Sequence, residues 1–243
     1  ATMSAIAFLK PGDPPDRFPD PATGADPDGL LAIGGDLSPA RLLAAYRRGI
    51  FPWYEAGQPI LWWSPDPRAV LLPGEMRVSR SLRRTLRSDR FRTSVDQAFL
   101  GVIQACAATR AASGTWLTPE MQAASLQLHE LGHAHAVETW QGDELVGGLY
   151  GVAIGGVFFG ESMFSTATDA SKVALAHLAR HACGLGIALI DCQVATDHLD
   201  SLGSRHLPRT AFLDEVARLT ARVGPALPWR TGPAPTAALA ASG

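Results

Sequence analysis

Residues 128–165 read LHELGHAHAVETWQGDELVGGLYGVAIGGVFFGESMFS, and how that stretch is parsed decides the fold. It begins with His129-Glu130-Leu131-Gly132-His133, which spells the H-E-x-x-H pattern of zinc peptidases. That chemistry needs both imidazoles on one continuous helix, one turn apart, so that they converge on a metal. Gly132 stands directly before the second histidine, and glycine is the usual residue by which a chain leaves a helix. Beyond it the residues have the period of strands: AHAVETW, a turn at QGDE, then LVGGLYGVAIGGVFFGESMFS with a second glycine-bearing turn, an antiparallel meander. Thr139 occupies the place where the longer metzincin pattern needs a third histidine, and Glu138 is too near to act as a distant ligand. The stretch therefore predicts a helix-to-strand corner, with histidines at the helix end favoured by its dipole, and no metal site. His133 and His135 share one strand face, an arrangement open to a metal pair but more often simple packing.

The pattern extends outward from that corner. Upstream, TWLTPEMQAASLQLHELG predicts a helix capped by Thr118, with Pro119 at the first position and Gly132 at its end. SVDQAFLGVIQACAATR predicts another, with Val95, Phe99, Val102, Ile103 and Cys106 spaced by threes and fours. RAVLL reads as a strand after a boundary near Pro67. The longer stretch around it, IFPWYEAGQPILWWSPDPRAVLLPGE, holds five prolines, which preclude long regular elements. LSPARLLAAYRRG is a helix with Ser38 as cap, and the first 25 or so residues read as loop. Downstream, DASKVALAHLARHACGLG is a helix from Asp169, and IALIDCQV is a short apolar strand. The layout is α+β: a small N-terminal domain over 1–66, then a domain over 67–225 with a mixed β-sheet covered by helices. Residues 226–243 have the composition of a disordered tail.

Composition bounds the class. The chain has 243 residues, 47% hydrophobic, with a formal net charge of −2, as an ordinary soluble globular protein does. There is no apolar run of about 18 residues to span a membrane, and the N-terminus shows no secretory signal. Three cysteines without C-x-x-C spacing fit reduced thiols in the cytoplasm. Charge is uneven, however: seven arginines lie between Arg77 and Arg92 against one acid, Asp89. In a helix, Arg80, Arg83, Arg84 and Arg87 share one face, and without balancing acids that face favours phosphate over mere solvation.

Other candidates are weighed residue by residue. In DCQV, period two sends Asp191 and Gln193 to one face. A carboxylate and an amide at a strand's end either position a substrate or cap the following loop ATDHLDSLGS. Glu161 lies among Phe158, Phe159, Met163 and Phe164, so it is either functional or turned to solvent, and the apolar setting favours function. Trp53, Trp62, Trp63 and Trp116 could stack on bases, although Trp62 and Trp63 read better as packing anchors. The glycines form neither G-x-G-x-x-G nor a P-loop, and no serine or cysteine has a nucleophile's setting.

Taken together and in order, PDGLLAIGGDLSPARLLAAYRRGIFPWY, PILWWSPDPRAVL, GTWLTPEM, LHELGHAHAVETW, ELVGGLYGV, FGESMFS, DASKVAL and LIDCQVATDHLDSLGS closely resemble the bacterial leucyl/phenylalanyl-tRNA–protein transferases. The resemblance runs from about residue 26 to 215. It implies transfer of Leu or Phe, with Met as a further donor amino acid, from aminoacyl-tRNA to proteins that begin with Arg or Lys, marking them for degradation by the N-end rule. It also implies a GNAT-like fold and no cofactor. By resemblance, Trp53, Trp116 and Tyr46 hold the terminal adenosine. Leu149, Phe158, Met163, Leu175, Leu178 and Ile190 form the aminoacyl side-chain pocket. Asp191, Gln193 and Glu161 carry catalysis, and the arginine helix holds tRNA phosphates. FSTATDASK departs from the Q/R-x-x-G-x-G/A run that holds CoA in acetyltransferases, which weakens the rival reading as a CoA-dependent acyltransferase. A second rival is a non-catalytic RNA-binding module. Ser125 stands where the family can carry Tyr.

Overall fold

The computed structural model describes residues 6–23, 29–110, 117–224 and 228–241. Two sheets are laid down in chain order. The first has the order β1 (Ala7–Leu9), β2 (Leu30–Gly34), β4 (Leu61–Trp63), β3 (Phe51–Pro52), with α1 (Pro39–Arg47) connecting β2 to β3. The short parallel pairing of β1 with β2 lies where composition predicted loop. Ser38 caps α1 by accepting the Arg41 N–H, and Pro39 opens the helix, as a proline does without losing a bond.

The second sheet has eight strands, in the order β11-β5-β10-β9-β8-β7-β6-β12. They are β5 (Arg68–Leu71), β6 (Arg92–Val95), β7 (Ala134–Gln141), β8 (Glu144–Ile154), β9 (Val157–Ser165), β10 (Leu189–Gln193), β11 (Arg205–Leu207) and β12 (Thr231–Pro235). β7, β8 and β9 form the expected antiparallel meander, and β10 joins β9 in parallel, so the sheet is mixed. One face packs on α3 (Phe99–Arg110), α4 (Pro119–Glu130), α7 (Arg209–Thr220) and the small sheet. The other packs on α2 (Arg80–Arg87) and α5 (Ala170–Gly184). Period two divides β8 accordingly: Tyr150, Val152 and Ile154 face the first core, and Leu149 and Ala153 the second. Gly151 permits the β8–β9 contact, since a Cβ there would lie 2.2 Å from the Phe159 carbonyl and 2.6 Å from the Phe158 ring.

Three sequence expectations need correction. The helix read from Ser94 begins only at Phe99, because Arg92–Val95 are drawn into β6 beside β7. Asp96, at φ +56°, makes the turn between them. The buried Glu138 carboxylate accepts the Gln97 and Ala98 N–H groups at 3.0 Å, capping α3 from across the sheet. The loop after Gln193 contains α6 (Asp197–Ser201) and β11. Within the supposed tail, residues 228–241 add β12 to the sheet edge beside β6, followed by a 3-10 turn at Ala237–Ala241. The signal that was missed is Trp229, a large aromatic that a proline- and alanine-rich segment keeps only for burial.

At the corner, α4 ends at Glu130, and Gly132 takes φ +79° before the chain enters β7. This is the glycine-made exit that the sequence predicted. His129 sets its Nδ1 against the Ala134 carbonyl at 2.8 Å and stacks on Phe99 at 4.0 Å. His133 lies beyond the helix, so the two histidines of the zinc spelling do not share a helical face. Asp96, His129 and His135 do bring one ligand-type atom each within 4.8 Å of one another. Asp96 is already spent on the Ala136 N–H and on His135 Nδ1, at 2.8 and 2.7 Å. The group reads as a hydrogen-bonded corner.

Candidate active site

A pocket of about 440 Å³ opens where β8, β9 and β10 pass under α5 and α6, with β3 at its mouth. Leu149, Phe158, Met163, Leu175, Leu178 and Ile190, the six residues expected to hold an aminoacyl side chain, all line it. So do Trp53, Glu161, Asp191 and Gln193. Trp53 is half exposed at the rim, and its carbonyl accepts the Trp63 indole N–H at 2.7 Å. Trp62 is fully buried and donates to the Gly34 carbonyl, a packing role. Trp116 lies outside the described residues.

The polar end of the pocket is a network assembled from distant parts of the chain. Asp191 is fully buried, and Arg68 grips it with two bonds, Nε to Oδ1 at 2.8 Å and Nη2 to Oδ2 at 2.7 Å. Arg68 also donates to the Gly49 carbonyl and lies over the Phe51 and Phe212 rings, at 4.7 and 4.4 Å. Between Asp191 and Gln193 the β10–β5 register shifts, and Gln193 is held at φ +63°. Asp191 Oδ1 accepts the Gln193 backbone N–H at 2.9 Å, which fixes this bulge. Bulges re-aim side chains, and here the Gln193 amide donates to Glu161 Oε1 at 3.0 Å.

Tyr46, expected at the adenosine, is instead buried beneath the site, and its hydroxyl donates to Glu161 Oε1 at 2.8 Å. Buried there, it reaches the pocket through Glu161. Glu161 Oε2 and Ser162 Oγ have no hydrogen-bond partner among the described residues, and both residues line the pocket. Burial pushes the Glu161 carboxyl up to about 8; the Tyr46 hydrogen bond works against that and the Asp191 carboxylate adds to it. Burial likewise pushes the Cys192 thiol up to about 12, so it is not a thiolate at neutral pH.

The arginine segment is α2, capped by Ser79 as expected. Arg80, Arg84 and Arg87 are exposed and Arg83 half-buried, with no ion pair to any of the four among the described residues. Ser125 is buried in α4, where its hydroxyl donates to the Met121 carbonyl. Arg68, Ser162 and the Tyr46–Glu161 bond were missed from sequence. For Arg68 the signal was present: an arginine that opens an otherwise apolar strand run is a residue that burial tolerates only with a partner.

Comparison with known proteins identifies the family. Residues 70–217 match the family described as leucyl/phenylalanyl-tRNA protein transferase, and residues 35–66 match that family's N-terminal domain. A leucyl/phenylalanyl-tRNA–protein transferase of Aromatoleum aromaticum is 61% identical over 85% of this chain and 87% of its own length. Its counterpart in Chromohalobacter salexigens is 64% identical over 78% of this chain and 74% of its own length. A solved C-terminal domain of a putative lysylphosphatidylglycerol synthetase from Agrobacterium fabrum is 11% identical, covering 80% of this chain and 61% of its own, at a TM-score of 0.39. With matches on both sides of Pro67 and this level of identity, the chain belongs to the leucyl/phenylalanyl-tRNA protein transferase family.

Proposed function

We propose that this protein transfers Leu or Phe from aminoacyl-tRNA to the α-amino group of proteins that begin with Arg or Lys, in the cytoplasm. The observation that carries the reading is one pocket with an apolar wall at one end and an unpartnered, hard-to-ionise carboxyl oxygen, Glu161 Oε2, at the other. The apolar wall suits an unbranched-at-Cβ side chain such as Leu or Phe. Trp53, half exposed at the rim, offers a ring on which the terminal adenine can stack, and Trp116 is assigned beside it by resemblance alone. The exposed arginines of α2 suit acceptor-stem phosphates without reading sequence. A division into a small domain over 1–66 and a transferase domain over 67–225 belongs to the same proposal, supported by the separate sheets on either side of Pro67.

The ester is already activated, so the site must align two reactants and handle one proton. The neutral amine nitrogen attacks the ester carbonyl carbon, and the bond from that carbon to the ribose oxygen breaks. The proton shed by nitrogen passes to the Glu161 carboxylate and then to the departing ribose oxygen. A group raised to about 8 is matched to an α-amine, whose ordinary value is about 7.7–8.0. Asp191 has both oxygens occupied by Arg68 and by the Gln193 N–H, so its part is to hold the bulge that aims Gln193. Gln193 and Ser162 are then placed to orient the amine and the developing oxyanion.

Against the CoA-dependent alternative, the start of α5, where the sequence lacks the acetyltransferase glycine run, carries a carboxylate that would repel a pyrophosphate. Asp169 stands at the N-cap of α5 and binds Thr85 Oγ1 at 3.0 Å and Lys172 Nζ at 3.2 Å. Incubation with radiolabelled Leu-tRNA and a protein bearing N-terminal Arg should extend that protein by one leucine. Transfer from acyl-CoA, or tRNA binding without any transfer, would overturn the proposal.

A further inference from the structure

Residues 228–241 lie beyond the part of the chain that matches the family, which ends at 217, yet they touch both halves of the proposed site. Trp229 is buried, with 8% of its surface exposed. Its indole stacks on His135 at 4.1 Å, 8° from parallel, and His135 is anchored by Asp96. Its other neighbours are Phe158, at 5.8 Å, and the edge of His181, at 5.6 Å. Trp229 does not line the pocket, but Phe158 does. Phe158 thus adjoins both the pocket and Trp229, and Trp229 in turn adjoins His135.

Past Trp229 the segment is fastened at several points. β12 pairs with β6, and the Gln97 amide donates to the Thr231 carbonyl at 3.1 Å. The buried Thr236 hydroxyl donates to the Leu86 carbonyl at 2.8 Å, at the last turn of the arginine helix α2. Leu239 and Ala240 are buried in the 3-10 turn that packs against α2 and α5. One strap thus backs the side-chain pocket at one end and seats the phosphate-binding helix at the other.

We propose that this C-terminal strap adjusts the depth of the aminoacyl pocket through Trp229 and Phe158, making Trp229 a positioning residue for the choice between Leu and Phe. The inference rests on the transferase reading above. A pocket is as deep as its rear wall is rigid, because packed aromatic layers leave a side chain nowhere to withdraw. Removing the indole frees Phe158 to move back, and the space gained favours the longer substrate side chain.

The test is steady-state transfer of Leu and of Phe, each from its charged tRNA, to a peptide with N-terminal Arg, using the full chain. Trp229→Ala should raise the ratio of kcat/KM for Phe over Leu about tenfold, the scale of a small change in an apolar pocket. Trp229→Phe, which keeps an aromatic plate, should stay near the wild-type ratio. Thr236→Val should raise KM for both charged tRNAs equally and leave the ratio alone, since it touches only the α2 end. If Trp229→Ala does not fold, as judged by circular dichroism, Trp229→Leu replaces it, with a smaller shift in the same direction expected. An unchanged ratio in the folded variant, with both substrates slowed alike, overturns the proposal and leaves the strap as an edge cover. A wild-type chain that transfers neither amino acid sinks the transferase reading instead.

Discussion

Glu161 is where pH should act. Its carboxyl is raised to about 8 by burial, whereas in the unfolded chain it titrates near ~4.3. The folded state therefore binds the extra proton between those values. Stability from this group is complete below about pH 4.3 and is lost as pH rises through about 8. Glu161→Gln removes that loss, so its urea midpoint should gain on that of the wild type as pH rises from about 5 to about 8. The same change should lower transfer by about 10²-fold or more with aminoacyl-tRNA binding retained; an unaltered rate would remove Glu161 from the chemistry. Arg68 gives the second residue-level prediction. Arg68→Met strands a fully buried Asp191 charge, at a cost of about 3–5 kcal/mol by urea unfolding, and adding Asp191→Leu should recover much of it. Proposing Asp191 and Gln193 needed only the DCQV pattern and the resemblance. Their working arrangement was not legible, because the Arg68 clamp and the left-handed Gln193 arise from contacts 123 residues apart in sequence and from a register shift.

Elements were legible wherever local chemistry dominates. Ser38, Ser79 and Thr118 each cap the helix that the sequence assigned to them, and Gly132 ends α4. Local rules failed where pairing outweighed periodicity. Ser94 and Val95 fit a helical spacing, but β7 offered them a ladder and the buried Glu138 took over the helix cap. For α2, whose arginines have no ion pair among the described residues, the expected behaviour is electrostatic. Replacing Arg80, Arg84 and Arg87 together by alanine should weaken tRNA binding and reduce the slope of log affinity against log salt by about 2–3. Filter binding across a salt series measures this, and an unchanged slope would place the phosphates elsewhere.

Across the whole molecule, the site depends on the small sheet and the large one meeting. Tyr46 on α1 and Glu161 on β9 share a buried hydrogen bond 115 residues apart in sequence. That bond favours the ionised carboxylate, so Tyr46→Phe should push Glu161 higher still. The alkaline rise in kcat/KM should shift to higher pH in this variant, and a pH–rate profile that overlies the wild type would detach Tyr46 from the site. By itself the sequence determined the α+β class, the order of the main helices and strands, the caps and the arginine face, and through its resemblance the six pocket residues. The elements follow from spacing and residue type, which act within a few turns or strands. Only the tertiary structure decided which carboxyl burial makes hard to ionise, which is clamped by Arg68, and that the C-terminal segment packs behind Phe158. Those depend on burial and on partners brought together across the chain, and a dielectric environment is a property of the packed molecule that no local stretch carries.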